Sequence, residues 1–107
     1  MEGLRIWIDD IRPVPTDYTH WCKSVDECIN LVSRAKLANI PIDIIDLDHD
    51  AGNYAEHGGD YIRILDWLEA TKLNDDNHIA FKLHTMNPVG RQQMISIIRH
   101  NGWVLIP

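Results

Sequence analysis

Short apolar runs that stop at polar residues are the clearest pattern along the chain. Residues 4–8 stop at Asp9-Asp10, and residues 42–47, which are rich in β-branched side chains, stop at Asp48. Runs of this length and composition are typical of strands, and a nearly continuous apolar run is typical of a strand buried on both faces. The pattern predicts five strands, over residues 4–8, 19–22, 42–47, 79–83 and 103–106.

Apolar residues at helical spacing separate these runs. Ser24 and Glu27 form a capping-box pattern at the start of a first helix. Asp60 is the expected cap of a second helix, and Asn87, with Pro88 at the first helical position, is the expected cap of a third. The expected buried faces are Val25, Cys28, Ile29, Val32 and Ala35 in the first helix, Tyr61, Ile64, Leu65 and Leu68 in the second, and Met94, Ile97 and Ile98 in the third.

Strands and helices alternate, and each helix is long enough for a right-handed crossover between parallel strands. The sequence therefore predicts an α/β fold, a three-layer sandwich around a five-stranded, mostly parallel sheet, formed by a single domain over residues 1–107. Ligands bind such sheets beyond the carboxyl ends of the strands. The polar clusters that follow the strands are expected to meet there.

Composition and charge narrow the class of function. The chain has 107 residues, of which 45% are hydrophobic and 24% charged, as in ordinary globular proteins. Its formal net charge is −6 and its basic residues are scattered, so an extensive surface for duplex nucleic acid is not expected. No apolar run approaches the roughly 18 residues of a membrane span, so no membrane partner is expected. Without a leader peptide, Cys22 and Cys28 are expected to be free thiols and the protein to be cytoplasmic.

Carboxylates at neighbouring strand ends predict a metal site. Asp9, Asp10 and Asp48 would place three oxygen donors in one crevice, and Asp50 is a further candidate ligand. This donor set suits Mg²⁺ or Mn²⁺ better than Zn²⁺. The alternative is that Asp9-Asp10 caps a turn and that Asp50 is an ordinary loop residue. The two aspartates inside the run at residues 42–47 are weaker candidates.

Two histidines add candidate proton-transfer groups. His49 and His84 each follow a predicted strand and lie beside a polar residue. Either could act as a general acid or base, or one could bind the metal, because neutral imidazole titrates near pH 7. The alternative is a structural hydrogen-bonding role. The four tryptophans are expected to fill the core or cover its edges rather than stack on a base.

The start of the third helix predicts an anion site. Thr85, Asn87 and Arg91 surround the point where the predicted helix begins. Backbone N–H groups, the helix dipole, a hydroxyl and a guanidinium could together hold a phosphate. The alternative is a common helix cap with a surface arginine.

Together these residues resemble the receiver-like domains described as cyclic-phosphate-processing receivers. The resemblance rests on residues 7–13, 47–52, 59–61, 65–68 and 84–91 and on Met94, and so spans nearly the whole chain. It implies a receiver-like or flavodoxin-like fold in which the first and last helices are reduced or absent.

The resemblance also implies roles for single residues. Relative to ordinary response-regulator receivers, Asp9-Asp10 matches the acidic pair that holds Mg²⁺, Asp48 the phospho-accepting aspartate and Thr85 the switch Ser/Thr. Two departures stand out: Ile106 occupies the end of the last predicted strand, where receivers carry a lysine, and residues 13–18 replace the first helix. Much of the output surface of a signalling receiver is therefore expected to be missing.

The expected function follows from what the family adds to the receiver pocket, which is His49, Asp50, His84, Asn87 and Arg91. The resemblance implies a metal-dependent phosphoesterase or phosphotransfer enzyme that acts on cyclic or terminal phosphates of nucleotides or RNA. The expected partner is accordingly a phosphate-bearing small molecule or an RNA end. Asp48, His49 and His84 are then the candidate catalytic residues, Thr85, Asn87 and Arg91 the substrate-binding residues, and Asp9, Asp10, Asp48 and Asp50 the ligands of Mg²⁺ or Mn²⁺.

Two alternatives stay open from the sequence. Asp48 could be a nucleophile that forms an aspartyl-phosphate, as its receiver counterpart does, instead of a metal ligand alone. The protein could also be a non-catalytic, degenerate receiver module that binds a phosphorylated ligand or a partner protein without turnover.

Overall fold

The computed structural model describes residues 3–107 and shows a parallel four-stranded sheet with three helices. The strands are β1 (Leu4–Ile8), β2 (His20–Cys22), β3 (Ile42–Leu47) and β4 (Ala80–Leu83), in the order β2-β1-β3-β4. The helices are α1 (Val25–Leu37), α2 (Ile62–Thr71) and α3 (Pro88–His100), with a short 3₁₀ helix at Gly52–Glu56. None of the helices within residues 3–107 has the length and apolar character of a membrane span.

The predicted fifth strand is reduced to a single bridge beside β4. Leu105 pairs with Phe81 in parallel orientation. The Phe81 N–H donates to the Val104 carbonyl (2.9 Å), and the Ile106 N–H donates to the Phe81 carbonyl (2.7 Å). Pro107 has no N–H with which to extend this ladder. The prediction of five strands is therefore wrong by one.

All three helices cover the same face of the sheet. α1 packs against α2, and α2 against α3. The two crossovers from β2 to β3 and from β3 to β4 run in the same direction, so their right-handed sense places α1 and α2 on one face. The core lies between this helical layer and the strand side chains that face it, among them Ile6, Ile8, Ile45, Leu47 and Phe81.

The other face of the sheet has no helix within the described residues. Residues 9–19, which include Pro13 and Pro15, connect β1 to β2 and cover part of it. The structure thus has two layers instead of the predicted three. As predicted, no helix joins β1 to β2 and none follows α3 in residues 3–107.

Two of the three predicted helix caps are correct. The Ser24 hydroxyl accepts the Glu27 N–H (3.1 Å), and the Asn87 side chain accepts the Gly90 N–H (3.0 Å). The third prediction is wrong, because the Asp60 carboxylate accepts the N–H of Ala51 (3.0 Å) and so fixes the loop before α2 instead. As predicted, the two cysteines are free thiols, and both are buried.

Candidate functional site

Polar residues from three strands meet at the carboxyl edge of the sheet. Asp9 follows β1, Asp48 follows β3 and His84 follows β4, and one ligand atom of each lies within 4.8 Å of the others. The strand ladders continue to this point, since the Asp48 N–H donates to the Ile8 carbonyl and the His84 N–H to the Leu47 carbonyl, both at 3.0 Å. The parallel strands end together and so bring these three predicted residues together.

Asp9 is buried and organises the turn that follows β1. Its Oδ1 accepts the N–H groups of Ile11 (2.9 Å) and Arg12 (2.8 Å). Burial would raise the pKa of Asp9, but these hydrogen bonds, with another from His84, lower that pKa below its ordinary value. Asp9 is therefore an ionised carboxylate that the turn itself stabilises.

His84 joins two buried carboxylates. Its Nε2 lies 2.9 Å from Asp9 Oδ2, and its Nδ1 lies 2.7 Å from Asp46 Oδ1. The other oxygen of Asp46 accepts the hydroxyl of Tyr18. Both nitrogens of His84 face carboxylate oxygens, and these two contacts fix the orientation of its ring. Burial, and then the bond to Asp46, raise the pKa of Tyr18, which keeps its hydroxyl a donor.

Two tryptophans fix this network and the turn beside it. The Trp7 ring stacks on His84, with centroids 3.8 Å apart and planes inclined by 5°, and its Nε1 donates to the Arg12 carbonyl (3.0 Å). Trp21 donates from Nε1 to the Asp9 carbonyl (2.7 Å). The expectation that these residues only fill or cover the core misses this role in positioning the acidic turn.

Tyr18 is a site residue that the sequence did not single out, and Asp46 was only a weaker candidate for metal binding. Asp46 is 2% exposed and lies opposite Trp7 in the pairing of β3 with β1, on the face without helices. A buried carboxylate needs hydrogen-bonding or charged partners. Its place in β3 among apolar residues, one position before the last residue of the strand and on the side opposite to Ile45 and Leu47, is the signal that could have identified it.

A cleft of about 440 Å³ opens at this edge of the sheet. Arg12 is its cationic side chain, and Arg12 Nη1 also donates to the His84 carbonyl (3.1 Å). Four residues predicted for the site, Asp48, Asp50, Thr85 and Asn87, line this cleft together with Arg12, Met86 and Pro88.

The start of α3 forms one wall of the cleft. Thr85 Oγ1 accepts the Asn87 N–H (3.1 Å), and Asn87 in turn caps the helix. Arg91, predicted to bind substrate, donates from Nη1 to the Leu83 carbonyl (3.2 Å) and is not among the residues that line the cleft. The arginine beside Asp48 and Thr85 is thus Arg12, from the turn after β1.

His49 lies behind the cleft, under α3. Its Nδ1 is 2.9 Å from Asp50 Oδ1, and its ring packs on Gly90, where a Cβ would come within 2.4 Å of Cδ2. Gly90 therefore leaves room for the ring. Asp50, predicted as a metal ligand, belongs with His49 and Asp60 to a second group whose ligand atoms lie within 4.8 Å of one another. His49 does not line the cleft, but its partner Asp50 does.

Asp10 lies beside the acidic group at the strand ends, but it is not one of the three residues whose ligand atoms lie within 4.8 Å of one another, and it does not line the cleft. Burial raises its pKa, and the charges of Asp9 and Asp48 raise it further. Gly52, at φ +56°, leaves space for it, because a Cβ there would lie 2.4 Å from Asp10 Oδ2. Carboxylates that repel one another in this way fit a hard divalent cation, which would offset their charge.

Asp10→Asn is expected to increase the free energy of unfolding at pH 7. The raised pKa of Asp10 means that the folded state binds its proton more tightly, so stability falls as the pH rises from 3.8 through that raised value. Asparagine cannot ionise and so does not lose this stability at pH 7. The difference in the free energy of unfolding between the variant and wild type should vanish near pH 3, where the Asp10 carboxyl group is protonated in both the folded and the unfolded protein. Urea titrations at the two pH values test this.

Metal should reverse the order of stability between wild type and Asp10→Asn. A cation that binds only the folded wild type, and is present at a concentration of 100 times its Kd, adds about 2.7 kcal/mol to the free energy of unfolding. The control is Asp66→Asn, which changes an exposed carboxylate on α2. A loss of stability for Asp10→Asn at pH 7 without metal would contradict the predicted repulsion.

Comparison with known families identifies the chain. The family model described as the cyclic-phosphate processing receiver domain matches residues 4–100, a span that contains every residue of the site. Neither a curated protein nor a solved structure matches the chain. The resemblance seen in the sequence is thereby confirmed, and the chain belongs to the family of cyclic-phosphate processing receiver domains.

Proposed function

We propose that the protein is a metal-dependent phosphoesterase or phosphotransfer enzyme that acts on cyclic or terminal phosphates of nucleotides or RNA. The observation that carries the proposal is the cleft in which Asp48, Arg12 and Thr85 lie together. Carboxylates for a cation, a guanidinium and a helix start are the groups that a phosphate ester needs at one place. The association of the family with cyclic-phosphate processing supports this substrate class.

The phosphate is held by Arg12 and by the start of α3. Arg12 can give charge-assisted hydrogen bonds to phosphate oxygens. Its backbone is fixed on both sides, by Asp9 at the N–H and by Trp7 at the carbonyl, so the turn that carries it is preorganised. The Thr85 hydroxyl and the first turn of α3 lie on the opposite wall of the cleft.

Asp10 and Asp48, with Asp9 beside them, are the residues that would hold Mg²⁺ or Mn²⁺. The bound ion would neutralise charge on the phosphate and polarise its P–O bonds. Both carboxylate oxygens of Asp9 already accept hydrogen bonds, from the turn and from His84. Asp10 and Asp48 therefore have more free acceptor capacity.

The two histidines take different roles in this proposal. His84 has both ring nitrogens bound to carboxylates, so we assign it to positioning Asp9. The pair of His49 and Asp50 supplies the proton that the leaving oxygen takes up, because the Asp50 carboxylate lines the cleft and faces the imidazole.

His49→Gln is expected to lower kcat for a 2′,3′-cyclic nucleotide by about 10²-fold, since general acid–base catalysis contributes roughly 10²–10⁴. The assay measures kcat and KM against pH with Mg²⁺ or Mn²⁺, and the pH profile of the variant should lose one limb. His100→Gln, an exposed histidine at the far end of α3, is the matched control.

Two results would count against the proposal. Unchanged kcat and pH profile in His49→Gln would contradict the role of the His49–Asp50 pair. Tight binding of cyclic nucleotides that are recovered intact after long incubation with metal would favour the non-catalytic binding module instead.

A further inference from the structure

Exposed apolar side chains gather around the candidate site. Of the large hydrophobic residues that are exposed, Ile11 (78% exposed), Met86 (81%) and Val89 (68%) each lie within one residue of a residue described above. The others within residues 3–107, Leu37 and Val104, lie elsewhere in the chain. We call Ile11, Met86 and Val89 the apolar rim.

One residue of the apolar rim lines the cleft, and the other two are next to cleft residues in the chain. Met86 lines the cleft directly, beside Asp48. Ile11 precedes Arg12 in the turn after β1, and Val89 follows Pro88 in the first turn of α3, and both neighbours line the cleft. Exposed apolar groups beside a polar cleft are typical of a site that binds a ligand with both kinds of surface.

We infer that the apolar rim binds the base of the substrate and selects nucleotides over phosphates that lack a base. This inference rests on the proposed function, which places the phosphate between Arg12 and Thr85. A nucleoside attached to that phosphate must then extend out of the cleft, past Met86. The thioether of Met86 is well suited to contact an aromatic ring, and burial of the rim against a base removes apolar surface from water.

A partner protein fits the apolar rim less well. Three side chains present a few hundred Å² at most, on the order of a small surface patch. A stable protein interface needs about 800 Å² on each partner. The polar cleft beside Met86 also carries Arg12, Asp48 and Asp50, which an apolar protein surface would leave unpaired.

Calorimetry with adenosine 5′-monophosphate and ribose 5-phosphate, both with Mg²⁺, tests the inference, because the second probe carries an anomeric hydroxyl in place of the base. Wild type is expected to bind the nucleotide about tenfold more tightly. The double variant Ile11→Thr, Met86→Gln should lose that factor and leave the affinity for ribose 5-phosphate unchanged. Leu37→Thr, an 87% exposed residue on α1, is the control and should change neither affinity.

Three results would overturn the inference. The first is that wild type binds the two probes with equal affinity. The second is that the double variant loses affinity for both probes by the same factor. The third is a protein partner whose binding depends on the apolar rim, while the affinity for the nucleotide does not.

The turnover assay separates this inference from the proposed function. Hydrolysis at the same rate whatever the base contradicts only the inference that the apolar rim binds the base. Base-selective binding without turnover contradicts only the proposal that the protein is an enzyme. Failure to bind or turn over any probe overturns both.

Discussion

Replacing Asp48 by asparagine is expected to reduce kcat for a 2′,3′-cyclic nucleotide by about 10³-fold or more, the size of effect seen when one electrostatic group of an active site is lost. Asp48 lines the cleft and belongs to the group of Asp9 and His84. The substitution removes a negative charge that would hold the cation, and it also removes the oxygen that would attack phosphorus if Asp48 were a nucleophile.

The fold should survive this substitution. Asp48 Oδ1 accepts the N–H of His49 (2.8 Å), a bond that an asparagine oxygen can also accept. The measurement is therefore kcat and KM at saturating Mg²⁺ or Mn²⁺, with the free energy of unfolding determined in parallel and Asp66→Asn as control. A variant that keeps more than a tenth of the wild-type kcat would contradict the assignment of Asp48 to the reacting centre.

Acid quenching during turnover distinguishes the two roles of Asp48. Attack by Asp48 on a 2′,3′-cyclic nucleotide breaks one P–O bond of the ring and leaves the nucleotide joined to the carboxylate through phosphorus. Nucleotide that stays on the protein after quenching, and is absent in Asp48→Asn, therefore indicates the nucleophile. Its absence in wild type indicates that the carboxylate acts through the cation.

Asp46→Ala is expected to lower the free energy of unfolding by about 2–6 kcal/mol, because two buried groups lose their hydrogen-bond partner at roughly 1–3 kcal/mol each. Asp46 accepts hydrogen bonds from His84 and Tyr18 in the buried network. Alanine leaves the imidazole and the hydroxyl without this acceptor. Asp43→Ala, which changes an exposed carboxylate on the same strand and removes only the hydrogen bond from the Gly3 N–H (3.2 Å), should cost about 1 kcal/mol.

A double-mutant cycle with His84→Ala tests whether the loss comes from the network. Because Asp46 and His84 are in contact, the double variant should lose clearly less than the sum of the single variants. Urea titrations measure all four proteins. If the effects of Asp46→Ala and Asp43→Ala are equal, or those of Asp46→Ala and His84→Ala are additive, Asp46 does not act through His84.

The sequence was informative wherever a local pattern determines the structure. β1, β3 and β4 are predictable because their apolar runs are short and bounded, and the caps at Ser24 and Asn87 satisfy N–H groups only a few residues away. The meeting of Asp9, Asp48 and His84 is also predictable, since adjacent parallel strands end at one edge. In each case the determining interaction is close in sequence or repeated along a strand.

Features that depend on distant pairs were not predictable. Asp46 contacts Tyr18 and His84 through strand pairing and through a loop that crosses the sheet, and neither can be inferred from its neighbours in sequence. The choice of Arg12 over Arg91 at the cleft depends in the same way on how the turn after β1 folds back. The prediction of a fifth strand is wrong for a local reason, because Pro107 has no N–H with which to extend the hydrogen-bonded ladder.

The stacking of Trp7 on His84 links the site to tryptophan fluorescence. Its indole N–H is bound to the carbonyl of Arg12, and its ring lies on the imidazole that joins Asp9 to Asp46. A ligand that moves Arg12 therefore also shifts the indole against its neighbour, and the emission of an indole responds to the ring stacked on it. Trp7 is thus one of four tryptophans in the chain, and its share of the emission is expected to change when the cleft is occupied.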